Sequence, residues 1–179
     1  MSQSAEGKFK YLTGKAGAES LGYDSSFLKT IKPELINSFC GVGNPFSISH
    51  IPPGSSVLDI GCGAGFDLMI ASHLTGIEGR VCGIDLTAEM VARAKKNLEK
   101  TPFSNIEIKQ VESDDIPYDD NTFDFVISNG VINLSPCKQK LFKEIYRTLK
   151  PGAMLQFADI VLEKELPSSL VGSLEAWSQ

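Results

Sequence analysis

Hydrophobic and polar positions change rhythm near residue 55. Beyond it, short apolar runs alternate with stretches whose apolar residues recur every three or four positions. Ser56-Val57-Leu58-Asp59-Ile60 reads as a strand, Gly61 to Gly65 as a loop, and Phe66 to Leu74 as a helix with Leu68, Ala71 and Leu74 inward. Gly79 to Asp85 is a second strand, and Thr87 caps a helix whose Met90, Val91, Ala94 and Leu98 keep helical spacing. Ile106, Ile108 and Val111 alternate as a third strand, and Phe123 to Ser128 form a fourth. Ser135 and Pro136 open a helix that buries Leu141, Phe142, Ile145 and Leu149 and stops at Pro151-Gly152. Met154 to Val161 is the fifth strand. Strands alternating with helices of this length predict right-handed crossovers and a doubly wound parallel α/β sheet covered on both faces.

Before residue 55 the signals are shorter. The stretch up to about residue 20 reads as a mobile lead-in, as termini often are. Asp24 or Ser25 caps a short helix carrying Phe27, Leu28 and Ile31. Pro33 suits the first turn of another helix ending at Phe39, and Gly41, Gly43, Asn44 and Pro45 make a turn-rich loop. The organisation expected is a helical lead-in and cap over residues 1–50, followed by the α/β domain over 51–179.

Composition narrows the classes. With 179 residues, 42% hydrophobic and 22% charged, the chain can bury one domain's core and is no disordered tail. Seventeen basic against 22 acidic residues give a net charge of -5, which argues against a nucleic-acid partner. Arg93, Lys95 and Lys96 read as a solvated helix face. Met1 to Lys10 lack the apolar core of a signal peptide, and no apolar run approaches the roughly 20 residues of a membrane span. A cytoplasmic protein without membrane contact is expected. Cys40, Cys62, Cys82 and Cys137 show no Cys-x-x-Cys pair and no His in ligand spacing, so no metal site is expected and the thiols should be free. Cys40 reads as a small buried apolar residue, and His50 and His73 as surface or loop residues.

The strongest chemical signal is Asp59-Ile60-Gly61-Cys62-Gly63-Ala64-Gly65-Phe66-Asp67, between the first strand and a helix. Glycines let the backbone turn sharply and approach a ligand, and the helix behind offers unpaired N–H groups. In a parallel sheet this corner lies at the carboxyl edge, where ligands bind. The spacing is Gly-x-Gly-x-Gly, not the Gly-x-Gly-x-x-Gly of dinucleotide binders, which disfavours a nicotinamide oxidoreductase. Asp85 ends the second strand about 20 residues later, where a carboxylate can accept both ribose hydroxyls. It could instead cap the next helix, and Asp59 could be satisfied by backbone donors. Cys62 fills a tight loop.

As a set, these blocks resemble the class I methyltransferases. Asp59 to Asp67 is similar to their first motif, and Asp85 to their acidic ribose ligand. Glu112-Ser113-Asp114-Asp115-Ile116-Pro117 falls where their adenine-binding turn lies. Asn121 to Ser128 resembles the fourth-strand signature, and Leu149-Lys150-Pro151-Gly152 the turn before strand five. The resemblance spans residues 55 to 162. It implies a Rossmann-like sheet in the order 3-2-1-4-5 and S-adenosylmethionine as cofactor. Asp59, Gly61, Cys62, Gly63 and Gly65 would hold its methionine part, Asp85 and Leu86 its ribose, and Glu112, Ser113 and Asp114 its adenine. Asn129 joins this set. The activity implied is methyl transfer to a small-molecule acceptor, with a non-catalytic cofactor-binding module as the rival.

Gly22-Tyr23, Gly43-Asn44-Pro45, Gly65-Phe66-Asp67 and Ser128 to Pro136 resemble the arsenite methyltransferases more narrowly. That family carries Cys where Val42 and Gly130 stand here. Neither Cys40 nor Cys137 restores a lost thiol in register, so an arsenic site built on soft thiolates is not expected. By the same resemblance Tyr23, Asn44 and Asn129 are the polar groups nearest the methyl. The family continues past strand five into a helix and an antiparallel strand pair. Here no such pair is expected, and Leu166 to Gln179, with Leu170, Leu174 and Trp177, read as one amphipathic helix. The bare edge of strand five is expected to pair with a second copy, or the chain is part of a longer polypeptide.

Overall fold

The computed structural model describes residues 11–99 and 101–161. The helix expected at Leu166 to Gln179 lies outside them. Five parallel strands stand in the order β3-β2-β1-β4-β5: β1 Ser56–Ile60, β2 Arg80–Asp85, β3 Ile106–Gln110, β4 Phe123–Asn129 and β5 Leu149–Ala158. This is the Rossmann-like order expected. Helices α1 Gly14–Ser20, α2 Ser25–Leu28 and α3 Pro33–Ile36 precede the sheet. Helices α4 Phe66–Thr75, α5 Ala88–Leu98 and α6 Lys138–Thr148 connect its strands.

Strand periodicity decides which side chains share a face. Val57, Val81 and Ile127 join Leu68, Ala71 and the cap residues Leu28, Ile31, Leu35 and Phe39 in one apolar cluster. Leu58, Ile60, Cys82, Ile84 and Val126 face the other way and pack with Leu141 and Ile145 of α6. Each such side chain, taken fully out of water, contributes roughly 1.5–3 kcal/mol. The cap and the α/β domain therefore share a core. The first face turns polar at its carboxyl end, because Asp59, Asp85 and Asn129 lie two or four residues beyond Val57, Val81 and Ile127.

Several local expectations need correction. The lead-in is ordered from α1 onward, whose first amide donates to Phe39 O at 2.7 Å. Helix α3 is a single turn with Pro33 at its start, not a helix to Phe39. Thr87 stands at the N-cap of α5 but its side chain makes no cap bond; Asp85 Oδ1 accepts its N–H instead, at 2.9 Å. Helix α6 starts at Lys138, with Cys137 at the N-cap, two residues later than Ser135-Pro136 suggested. The Ser135 hydroxyl accepts from Cys137 N before the helix begins. Leu149 is not helical. It opens β5 opposite Phe123, and the ladder shifts register before Met154 pairs with Phe125. Phe142 is exposed, edge-on to Phe157 of β5. Cys40 is exposed as well, not buried.

Candidate functional site

The glycine loop leaves β1 and enters α4 with Gly61, Gly63 and Gly65 at φ of +72°, +51° and +89°, a backbone that side chains strain. A Cβ on Gly61 would strike the side chain of Val131, which closes the loop from one side. A Cβ on Gly63 would meet nothing within 4 Å, so the loop's outer surface is open. Asn97 of α5 donates to Ala64 O at 3.0 Å and ties the loop down from behind. Cys62 is buried, and burial first, then Asp59 and Asp85, push its thiol pKa up, so it is no nucleophile.

Three carboxylates surround this loop. Asp59 is 2% exposed, and no described donor is hydrogen-bonded to its carboxylate. Burial, then Asp67, then Asp85 drive its pKa well above the usual carboxylate range. No backbone hydrogen bond figures among the causes of its shift. Asp67, in the first turn of α4, is 8% exposed. Burial pushes its pKa up to about 6 against the opposing hydrogen bonds of Tyr23 and Asn129. Asp85 ends β2 half-buried, its Oδ2 accepting from Gly63 N and its Oδ1 from Thr87 N, both at 2.9 Å. Each oxygen keeps a second lone pair. The cap alternative and the ligand reading are thus compatible in this one side chain. Among the described residues no Lys, Arg or His forms an ion pair with any of the three.

The remaining sequence candidates separate into two groups. Tyr23 is buried against Phe39, Phe46 and Phe66, and its hydroxyl donates to Asp67 Oδ1 at 2.7 Å. Asn129, at the end of β4, meets the same carboxylate through its amide nitrogen at 3.1 Å. Asn44 stands apart from them. Its Oδ1 accepts from Phe46 N and caps the 3-10 turn Pro45–Ser47. Leu86 is exposed next to Asp85. Glu112 and Ser113 are exposed and Asp114 half-buried, with Asp114 accepting from the Ser135 hydroxyl. That acidic turn is held from α6. Arg147 donates to Ile116 O and Tyr118 O, and Glu144 accepts from Ile116 N. Sequence reasoning missed Asp67 as a site residue and Arg147 as the anchor of the turn. Asp67 was legible as the last residue of the first motif and of the Gly65-Phe66-Asp67 block, but nothing there gave it a role. For Arg147 there was no signal.

The donor set can be tested against a cofactor. A nearly buried carboxylate without a donor, two more acids beside it, and a loop open where a Cβ would stand suit a ligand carrying positive charge and ribose hydroxyls. S-adenosylmethionine, with its sulfonium and ammonium groups, has that chemistry.

A family model described as a methyltransferase domain matches residues 51–179. An arsenite methyltransferase of Halobacterium salinarum is 37% identical over 158 residues, covering 88% of this chain and 40% of that protein. A demethylmenaquinone methyltransferase of Bacillus mycoides is 32% identical over 124 residues, covering 69% of this chain and 50% of that protein. The crystal structure of an arsenic(III) S-adenosylmethionine methyltransferase from Chlamydomonas reinhardtii superposes with a TM-score of 0.72 at 35% identity, covering 81% of this chain and 51% of that one. The chain therefore spans about half or less of the length of these relatives.

Proposed function

The chain belongs to the methyltransferase-domain family, and from that premise we propose that it binds S-adenosylmethionine across Gly61–Gly65 and passes its methyl group to a small-molecule acceptor. The observation that carries the reading is Asp59 near the end of β1, where the open glycine loop begins, a carboxylate 2% exposed whose raised pKa has burial and two acids as causes and no hydrogen bond against them. Bound there, the cofactor supplies a methyl made electrophilic by its sulfonium leaving group. The chain's residues bind and orient. Asp85 has a free lone pair on each oxygen for the ribose hydroxyls, beside Leu86. Asp59 and the loop of Gly61, Cys62, Gly63 and Gly65 take the charged methionine end. Glu112, Ser113 and Asp114 border the adenine. Orientation in a site closed to water supplies much of the rate in such a transfer.

The acceptor we infer is not trivalent arsenic bound by thiolates of this chain. Val42 and Gly130 stand together, a Cβ on Gly130 lying 3.3 Å from Val42 Cγ1, and both lack sulfur. Cys62 and Cys82 are buried, and the exposed Cys40 and Cys137 lie on different elements, the loop after α3 and the N-cap position of α6. Supplied with S-adenosylmethionine and arsenite, the protein should give methylarsenicals no faster than a control without enzyme. The outer edge of β5 has no partner strand among the described residues, and Ile160 and Val161 just beyond it are exposed. These features support self-association through that edge, which light scattering at several concentrations tests. No described helix is long and apolar enough to cross a membrane.

Isothermal titration against S-adenosylmethionine, S-adenosylhomocysteine and NADH tests the cofactor reading. Saturable binding of the first two and none of the third is expected. NADH binding alone would overturn it. Formation of S-adenosylhomocysteine with any acceptor then separates an enzyme from a binding module.

A further inference from the structure

Asn129 and Asp67 do more than border the cofactor loop. Asn129 Oδ1 accepts from Val42 N at 2.8 Å and from Gly43 N at 3.1 Å. Its amide nitrogen lies 2.9 Å from Gly43 O, 3.1 Å from Asp67 Oδ2 and 3.2 Å from the Tyr23 hydroxyl. The amide is thus spent on protein groups, and its orientation is forced by the two backbone N–H groups on its oxygen. A Cβ on Gly41 would run into it. One side chain from the sheet therefore grips the loop at Gly41 to Gly43, and Asp67 is the acceptor that completes the grip from α4. The bonded partners lie 44, 62 and 87 residues apart.

We propose that Asp67 is a positioning residue for cofactor binding: as an acceptor-only carboxylate it holds Tyr23 and Asn129 so that Asn129 clasps the cap loop beside the glycine loop. This rests on the cofactor reading above. The two hydrogen bonds favour the ionised form, against burial, which opposes it. A carboxylate accepts the Tyr23 O–H and the Asn129 N–H together. Once protonated, its own O–H can bond only the Tyr23 oxygen, which must then turn its proton to Gly43 O at 3.4 Å and give up the 2.7 Å bond to Asp67. Tyr23 from the cap and Asn129 from β4 touch Asp67, and Asp59 from β1 and Cys40 from the loop after α3 lie within its electrostatic reach, as Asp85 of β2 does for both of these and Arg93 of α5 for Cys40. Asp59 is the other acid whose titration could mimic the effect.

The test uses the full chain, as wild type, Asp67→Asn and Asp59→Asn. Two quantities are read from pH 5 to 8: S-adenosylhomocysteine affinity by calorimetry, and hydrogen exchange of the Val42 and Gly43 amides without ligand, each rate divided by that of an unstructured peptide. The wild type should gain affinity by roughly tenfold as pH rises through about 6, the scale of one charge-assisted hydrogen bond. Its Val42 and Gly43 amides should become more protected over the same range even as global stability falls, because the clasp opens while Asp67 stays buried and the two hydrogen bonds are what ionisation strengthens. Asp67→Asn should show weak, pH-independent affinity and unprotected amides. Asp59→Asn should keep the pH-dependent protection. Wild-type protection that does not change with pH, or Asp67→Asn amides as protected as wild type, overturns the clasp. Should a variant not fold, the wild-type exchange profile alone decides. Failure of the wild type to bind S-adenosylhomocysteine at any pH defeats the cofactor reading, while the ligand-free exchange data still judge the clasp.

Discussion

The two ends of the central sheet treat acidic side chains in opposite ways. At the amino end of β4, Asp124 receives the Ser56 N–H at 2.9 Å, the Ser56 hydroxyl at 2.7 Å and the Lys150 ammonium at 2.9 Å on each oxygen. Burial alone would raise its pKa, but Ser56 and Lys150 outweigh that and hold it below the usual range. At the carboxyl end Asp59 takes no hydrogen bond from a described residue and Asp67 only the neutral donors Tyr23 and Asn129, so burial wins and both are raised. The acid at the amino end is complete as folded. Acids perturbed by burial without a charged partner are what a candidate ligand site is expected to hold.

The largest effect should come from Asp85→Ala. If the ribose bonds this carboxylate, the loss is about 1.5–3 kcal/mol per charge-assisted bond at most, enough to take S-adenosylmethionine affinity down by ten- to more than a hundredfold. The variant also frees Gly63 N and Thr87 N, so the loop should loosen. Unchanged affinity by calorimetry would remove Asp85 from the site and with it much of the contrast between the ends.

Arg147→Ala comes next. It leaves Ile116 O and Tyr118 O without their donor and releases the turn read as the adenine side. Unfolding in urea should show a loss of about 1–3 kcal/mol, with cofactor affinity falling alongside. A stability loss without any change in affinity would detach that turn from the site.

Asp67 allows the comparison to be made with pH. Its folded pKa, about 6, lies above the ordinary carboxylate value of 3.8. A raised pKa means that its contribution to stability is full below the unfolded value and is lost as pH rises through the folded one. Melting of the ligand-free wild type should therefore fall relative to Asp67→Asn between about pH 4 and pH 7. Parallel melting curves would show that Asp67 is not a buried, unpaired acid.

What the sequence could show depended on range. Strand β1 emerged with the same bounds, because a strand buried on both faces is a continuous apolar run. The loop and Asp85 were legible because their spacing is local. Helix α1 was missed because Gly14 to Ser20 carry no apolar stripe, and only Gly14, Gly17 and Ala18 are buried. The start of β5 was missed because Pro151-Gly152 reads as a stop, whereas Leu149 is recruited by Phe123 from across the sheet. The clasp was invisible for a stronger reason. Nothing in the letters near Asn129 says that its amide will meet residues 23, 42, 43 and 67.

The smallest effect tests the other end. Lys150→Met removes the ammonium from Asp124 and leaves the two Ser56 donors. The pair is part-exposed, with the Lys150 and Asp124 side chains at 42% and 36%, so solvent screening limits its worth to about 1 kcal/mol or less. Because the pKa of Asp124 is depressed, that stability is present above its unfolded pKa and is lost as pH falls through the folded value. The gap between wild type and variant in urea should therefore be open at pH 7 and closed in strong acid, the reverse of the trend for Asp67. S-adenosylhomocysteine affinity should not move, since the lysine sits at the edge of the sheet opposite the glycine loop. An affinity loss as large as that of Asp67→Asn would mean that the two ends are coupled through β4, and that pairing at one end sets the charge state at the other.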